Sequence, residues 1–171
     1  MSSDIKLVLL STALLGIAIL LQSTIFEYIA IGGVKPDLSL IILVFIAIRS
    51  GSMVGQISGF AGGLIQDILS LPPLGFYSLI RTIVGFLYGL IQGSMFVNSL
   101  FVPILFIMSA TLVRGVLSWL IAMIFSITAG GLVFFGAGFW IEVAYNSVLA
   151  PFLFALLNLL KAYKIKDKGE V

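Results

Sequence analysis

Asp67, Arg81, Arg114 and, near an edge, Glu142 interrupt long apolar runs in this 171-residue chain. Ionisable groups in such surroundings could do several kinds of chemistry. Two facing carboxylates could activate water, as membrane aspartyl proteases require. A string of titratable groups could relay protons. An acid and a base could also simply neutralise each other, since a lone charge at the centre of a bilayer costs at least about 2.5–3.5 kcal/mol. Proteolysis needs a second acid opposite Asp67, and the sequence places none nearby. The chain has no histidine and no cysteine. Imidazole general bases, Ser–His pairs, thiol nucleophiles, ordinary zinc sites and disulfide frameworks are thereby excluded. No residue receives a catalytic, cofactor-binding or metal-binding role. There is no ring-forming charge pattern or filter-like loop of the kind a channel needs.

The elements that hold these charges must lie in lipid. Hydrophobic residues make up 61% of the chain and charged residues 9%, against about 25% charged in a soluble domain. The length predicts one domain. A net charge of +2, with no dense basic patch, argues against nucleic acid. Lys6 is the only basic residue near the start, and apolar sequence follows from Leu7 to Leu21. The next stretch, Gln22-Ser23-Thr24-Ile25-Phe26-Glu27, is not a cleavage site, so the segment predicts an uncleaved transmembrane helix.

Six apolar segments fit an all-α membrane protein, over roughly 5–26, 38–50, 53–70, 76–92, 100–127 and 141–160. The second is short for a hydrocarbon layer of about 30 Å, and predicts a short but complete crossing. Pro103 falls in the first turn of the fifth segment, where proline is tolerated. Pro151 falls inside the sixth and predicts a bend. With a cytoplasmic N-terminus, the inner side holds Lys6, Arg49, Lys161, Lys164, Lys166 and Lys168, and the outer side only Lys35. That imbalance predicts that both termini are cytoplasmic. Residues 1–160 then form one transmembrane domain, and 161–171 a short basic tail. Phe26, Tyr28, Tyr77, Trp140 and Tyr163 sit where interfacial anchors belong.

Within this frame, Asp67 lies about one turn from the outer end of the third helix, and Arg81 about a turn and a half into the fourth. Both come out roughly 5–8 Å below the same surface. The turn between them, Leu71-Pro72-Pro73-Leu74-Gly75, cannot be helix interior. The leading expectation is an Asp67–Arg81 ion pair that stitches this hairpin. A polar contact to another protein or ligand, or a proton relay, remains open. Gly55, Gly59 and Gly63 recur every fourth residue on one helix face, widened by Gly62 and Ser58 and flanked by Gln56 and Gln66. Such a face suits close helix packing, within one molecule or between molecules. Arg114 lies near the middle of the fifth run and points to a polar cavity; Glu142 and Asp67 are the acids that could reach it. Pro36-Asp37-Leu38-Ser39 carries ordinary helix-start signals.

Pro36-Asp37 before a short helix, then Gly59-Phe60-Ala61-Gly62-Gly63-Leu64-Ile65-Gln66-Asp67, then Leu74-Gly75, resembles the bacterial rod-shape-determining MreD family. The family's motif falls here on Pro36, Asp37, Gly59, Gly63, Asp67 and Gly75. The resemblance implies a non-catalytic scaffold of the cell-elongation complex in the bacterial cytoplasmic membrane. Its implied direct partner is MreC, through which it connects MreB filaments to RodA and a penicillin-binding transpeptidase. It further implies a fold similar to the substrate-binding subunits of energy-coupling-factor transporters. Asp67 and the glycine ladder would then make the third helix a protein-facing surface. The alternative is a substrate-binding membrane subunit for a vitamin-type solute. Such subunits dock through alanines four apart on the first helix. Here Ala13 is followed at that spacing by Ile17, and Ala18 by Gln22.

Overall fold

The computed structural model describes residues 3–24, 30, 32–93, 101–126 and 136–160. They form six helices: α1 (Ser3–Thr24), α2 (Leu38–Ser50), α3 (Ser52–Ile68), α4 (Phe76–Gly89), α5 (Phe101–Ile124) and α6 (Ala137–Asn158). The anchors Phe26, Tyr28 and Tyr163, the tail 161–171 and most of the glycine-rich connection before α6 lie outside the described residues. Helix bounds differ from expectation chiefly at α4 and α6. Past Gly89 the chain tightens, with Ile91 N–H donating to the Tyr88 carbonyl and Gln92 N–H to that of Gly89. α6 begins at Ala137, four residues before the apolar pattern suggests, because Gly136 is extended and supplies the N-cap.

α2 organises the bundle. Its sequence LSLIILVFIAIRS is apolar almost all round, and a helix of that kind belongs in an interior. Leu38 to Ile48 are all buried, and the other five helices pack around them. At 13 residues α2 is about 20 Å long, shorter than a hydrocarbon layer. A short helix is tolerable here because protein, not lipid, surrounds its ends and can meet the backbone groups there. Three helices, α1, α5 and α6, are long and apolar enough to cross a membrane by themselves.

Neighbouring helices alternate in direction. Gly51, with φ of 91°, is the single residue between α2 and α3, and its left-handed backbone permits the reversal. The α3–α4 hairpin is the tightest element. A Cβ on Gly55 would lie 2.5 Å from the Gly85 carbonyl oxygen, and one on Gly59 equally close to that of Arg81. A Cβ on Gly63 would strike the Ser78 backbone, and one on Gly89 that of Ser52. Glycines on both helices thus let the two backbones touch along their whole length. The small face predicted on the third helix is consumed inside the molecule. Gly62, beside it, receives Leu15 of α1.

Candidate functional site

At the end of the bundle where α2, α4 and α6 begin, polar side chains converge on Asp37. The residue caps α2: its Oδ1 accepts the Leu40 N–H at 2.9 Å and the Ser39 hydroxyl at 2.7 Å. This is ordinary N-cap geometry, and it leaves the carboxylate with capacity to spare. Arg81 of α4 uses that capacity, with Nη2 3.3 Å from Oδ1 and 2.5 Å from Ser39 Oγ. Arg114 of α5 approaches from the other side, with Nη1 3.7 Å from Oδ2. Its Nη2 donates to Glu142 Oε2 of α6 at 2.6 Å. Two guanidinium groups and two carboxylates from four helices therefore form one balanced cluster.

Amides extend the cluster. Asn146 of α6 accepts the Asp37 backbone N–H at 2.8 Å and donates to Thr111 of α5 at 3.3 Å. Gln22 of α1 donates to the Pro36 carbonyl at 2.8 Å and accepts the Ser39 N–H at 3.3 Å. The N-terminal N–H groups of α2 are thus met by side chains from α1 and α6 as well as by its own cap. Each carboxylate faces a cation from another helix, so the arrangement ties helices together. Among the described residues no group of three potential metal ligands occurs.

Asp67 lies outside this cluster, and its expected pairing with Arg81 does not form. Its Oδ1 accepts the Tyr77 N–H at 2.7 Å. Its Oδ2 accepts the N–H groups of Gly75 at 3.0 Å and Ser78 at 3.1 Å, and the Ser78 hydroxyl at 2.5 Å. The acid caps α4 from across the turn, where exposed N–H groups and the helix dipole favour negative charge. Gly75, in the left-handed conformation at φ 99°, has no side chain to cap α4 itself. That was the available signal: a helix start with no cap residue, eight positions beyond a buried acid. Of the residues singled out in the sequence, Pro36, Asp37, Arg81 and Arg114 come together here. Gly55, Gly59, Gly63, Asp67 and Gly75 instead build the α3–α4 hairpin.

Sequence reasoning missed Gln22, Ser39, Thr111 and Asn146. Amides within apolar runs were the sign, since lipid leaves them no partner except protein. Arg114 meets Glu142, which the sequence places within reach, and Asp37, whose role as a helix cap masks its spare capacity for a second cation. The opposite end carries a lighter set of contacts. Arg49 Nη2 lies 2.5 Å from Asn158 Oδ1, with the guanidinium 5.6 Å from the Phe45 ring centroid. The hydroxyls of Tyr88 and Ser109 are 2.7 Å apart.

The model of the rod shape-determining protein MreD family matches residues 3–160. The chain belongs to the MreD family. The match runs from the first turn of α1 to just beyond α6, so it takes in both the Asp37 cluster and the glycine-packed hairpin. No curated protein and no solved structure matches the chain. Membership makes this a rod-shape-determining membrane protein, in keeping with its three long apolar helices.

Proposed function

We propose that the chain is a non-catalytic scaffold of the bacterial cell-elongation complex, embedded in the cytoplasmic membrane. In this reading it crosses six times, both termini are cytoplasmic, residues 1–160 are one domain and 161–171 a basic tail. Its direct partner is MreC. Through MreC it couples MreB filaments to peptidoglycan synthesis by RodA and a penicillin-binding transpeptidase. A fold similar to the substrate-binding subunits of energy-coupling-factor transporters is part of the same reading.

The observation that carries it is the family match over residues 3–160. The placement of the charges supports it, because Asp37, Arg81, Arg114, Glu142 and Asp67 all serve to join helices. The glycine ladder is occupied by α4, so α3 meets a partner, in this reading, through Met53, Ile57, Phe60, Leu64 and Ile68, all exposed. Affinity purification from gently solubilised native membranes tests the proposal. Co-elution of a single-pass coiled-coil protein is the expected result. An ATPase module or a tightly retained vitamin in its place would move the assignment to a solute-transport subunit.

A further inference from the structure

Arg114 and Glu142 stand on the inward faces of their helices, yet neither is sealed. On α5, Thr111 and Ser118 are buried, and Arg114 falls between them at helical spacing. The exposed residues of that helix, among them Met108, Val116 and Trp119, lie on the opposite side. On α6, Glu142 sits between the buried residues Phe139 and Asn146, opposite the exposed Trp140 and Val148. The side chains nevertheless keep 20% and 16% of their surface accessible. Both side chains thus keep accessible surface although they start from the inward faces of α5 and α6.

A second observation points the same way. Nη1 of Arg81 and Nε of Arg114 are enclosed and have no hydrogen-bond partner among the described residues, and the Arg81 side chain is only 3% exposed. Buried polar groups in native proteins are almost always met by protein or by water. Both unpaired atoms are donors, and the two arginines are already balanced by Asp37 and Glu142. What meets them must therefore bring acceptor oxygens without net charge, since an added ion would unbalance the cluster in a medium that penalises it. Tyr77 of α4, partly buried against the core, lies one helical turn before Arg81.

We propose that the α2–α4–α6 starting end of the bundle holds a water-accessible polar recess. Arg114 and Glu142 form its wall, Arg81 its floor, and its unpaired guanidinium N–H groups take uncharged acceptor oxygens, water foremost. The recess goes beyond the scaffold reading. Only the side on which it opens, the non-cytoplasmic one, rests on the orientation proposed above.

The chain has no cysteine, so single-cysteine variants report without background. Glu142→Cys, which leaves two guanidinium groups against one carboxylate, is expected to react with a membrane-impermeant anionic thiosulfonate about tenfold or more faster than lipid-facing Val148→Cys. The reaction is expected in spheroplasts and not in inverted vesicles. Reaction only in inverted vesicles supports the recess and overturns the orientation. Rates equal to the Val148→Cys control from both sides overturn the recess. A measurement without any substitution guards against a misfolded variant. In hydroxyl-radical footprinting of the purified wild-type protein, Tyr77 is expected to be oxidised several-fold faster than the buried Tyr88. Equal protection of the two tyrosines overturns the proposal.

Discussion

The carboxylate of Asp67 on α3 receives the backbone N–H of Tyr77 on α4 at 2.7 Å, and three further donors from Gly75 and Ser78 surround it. An acid in an apolar helix is thus neutralised by a helix N-terminus and not by a cation. Both of its oxygens accept N–H groups, so an amide cannot replace it: one end of Asn would turn its own NH2 toward donors. Asp67→Asn and Asp67→Ala are therefore expected to destabilise alike, by about 2–4 kcal/mol. Thermal unfolding in detergent checks this. Asn behaving like wild type would show that the carboxylate's second oxygen contributes nothing.

The geometry also separates two pairings that the sequence could not. Arg81 contacts Asp37 at 3.3 Å, whereas the oxygens of Asp67 are taken by α4 backbone and Ser78. In double-substitution cycles, Asp67→Ala with Arg81→Met is expected to be additive within about 0.5 kcal/mol. Asp37→Ala with Arg81→Met is expected to couple strongly. Each single change at the buried pair leaves a charge uncompensated and costs about 3–5 kcal/mol. The midpoints of denaturation of the singles and doubles decide between the two patterns.

Those two results mark where the sequence was legible and where it stopped. Apolar run lengths showed the helices, and the period-four glycines of α3 showed a close-packing face, because both follow from local spacing. What they left open was the partner of each polar group, which depends on the order of helices around α2. Burial of α2 on all sides brings Arg81, Arg114 and Asn146 to Asp37 from three other helices. No spacing along the chain encodes that meeting. Asp67 misled for a related reason. Its nearest cation in the hairpin was Arg81, but the unsatisfied backbone N–H groups at the start of α4 lay closer, and a helix start with Gly75 at its cap had no other acceptor.

The glycines make a graded prediction. At Gly59 and Gly55 an added methyl meets backbone carbonyl oxygen across the hairpin, and at Gly63 the Ser78 backbone. These atoms cannot move without parting α3 from α4. At Gly62 the methyl meets the Leu15 side chain at 3.0 Å, and at Gly16 it meets only the tip of Ile65 at 3.5 Å. Alanine at Gly55, Gly59 or Gly63 is expected to cost about 2 kcal/mol or more through forced separation. Gly62→Ala should cost less, and Gly16→Ala should be neutral or slightly stabilising through helix propensity. A thermal-shift series over the five variants tests the ranking. A penalty at Gly16 equal to that at Gly59 would mean that the hairpin contact does not set the order.

The far end of the bundle should respond weakly by contrast. Arg49 reaches Asn158 at 2.5 Å, but this contact is exposed and lies at the last residue of α6. Solvent screens such contacts, and ordering two flexible side chains offsets what they gain. Asn158→Ala is accordingly expected to shift stability by no more than about 0.5 kcal/mol. Asn146→Ala, by comparison, removes the buried acceptor of the Asp37 N–H and the donor to Thr111, and is expected to cost about 2–3 kcal/mol. The two asparagines sit on one helix, twelve residues apart, so unfolding of the pair compares the same substitution in the same element. If Asn158→Ala proved the more damaging, the α6 contact to the rest of the bundle would be governed from the Arg49 end, and the Asp37 cluster would not be what holds α5 and α6 to α2.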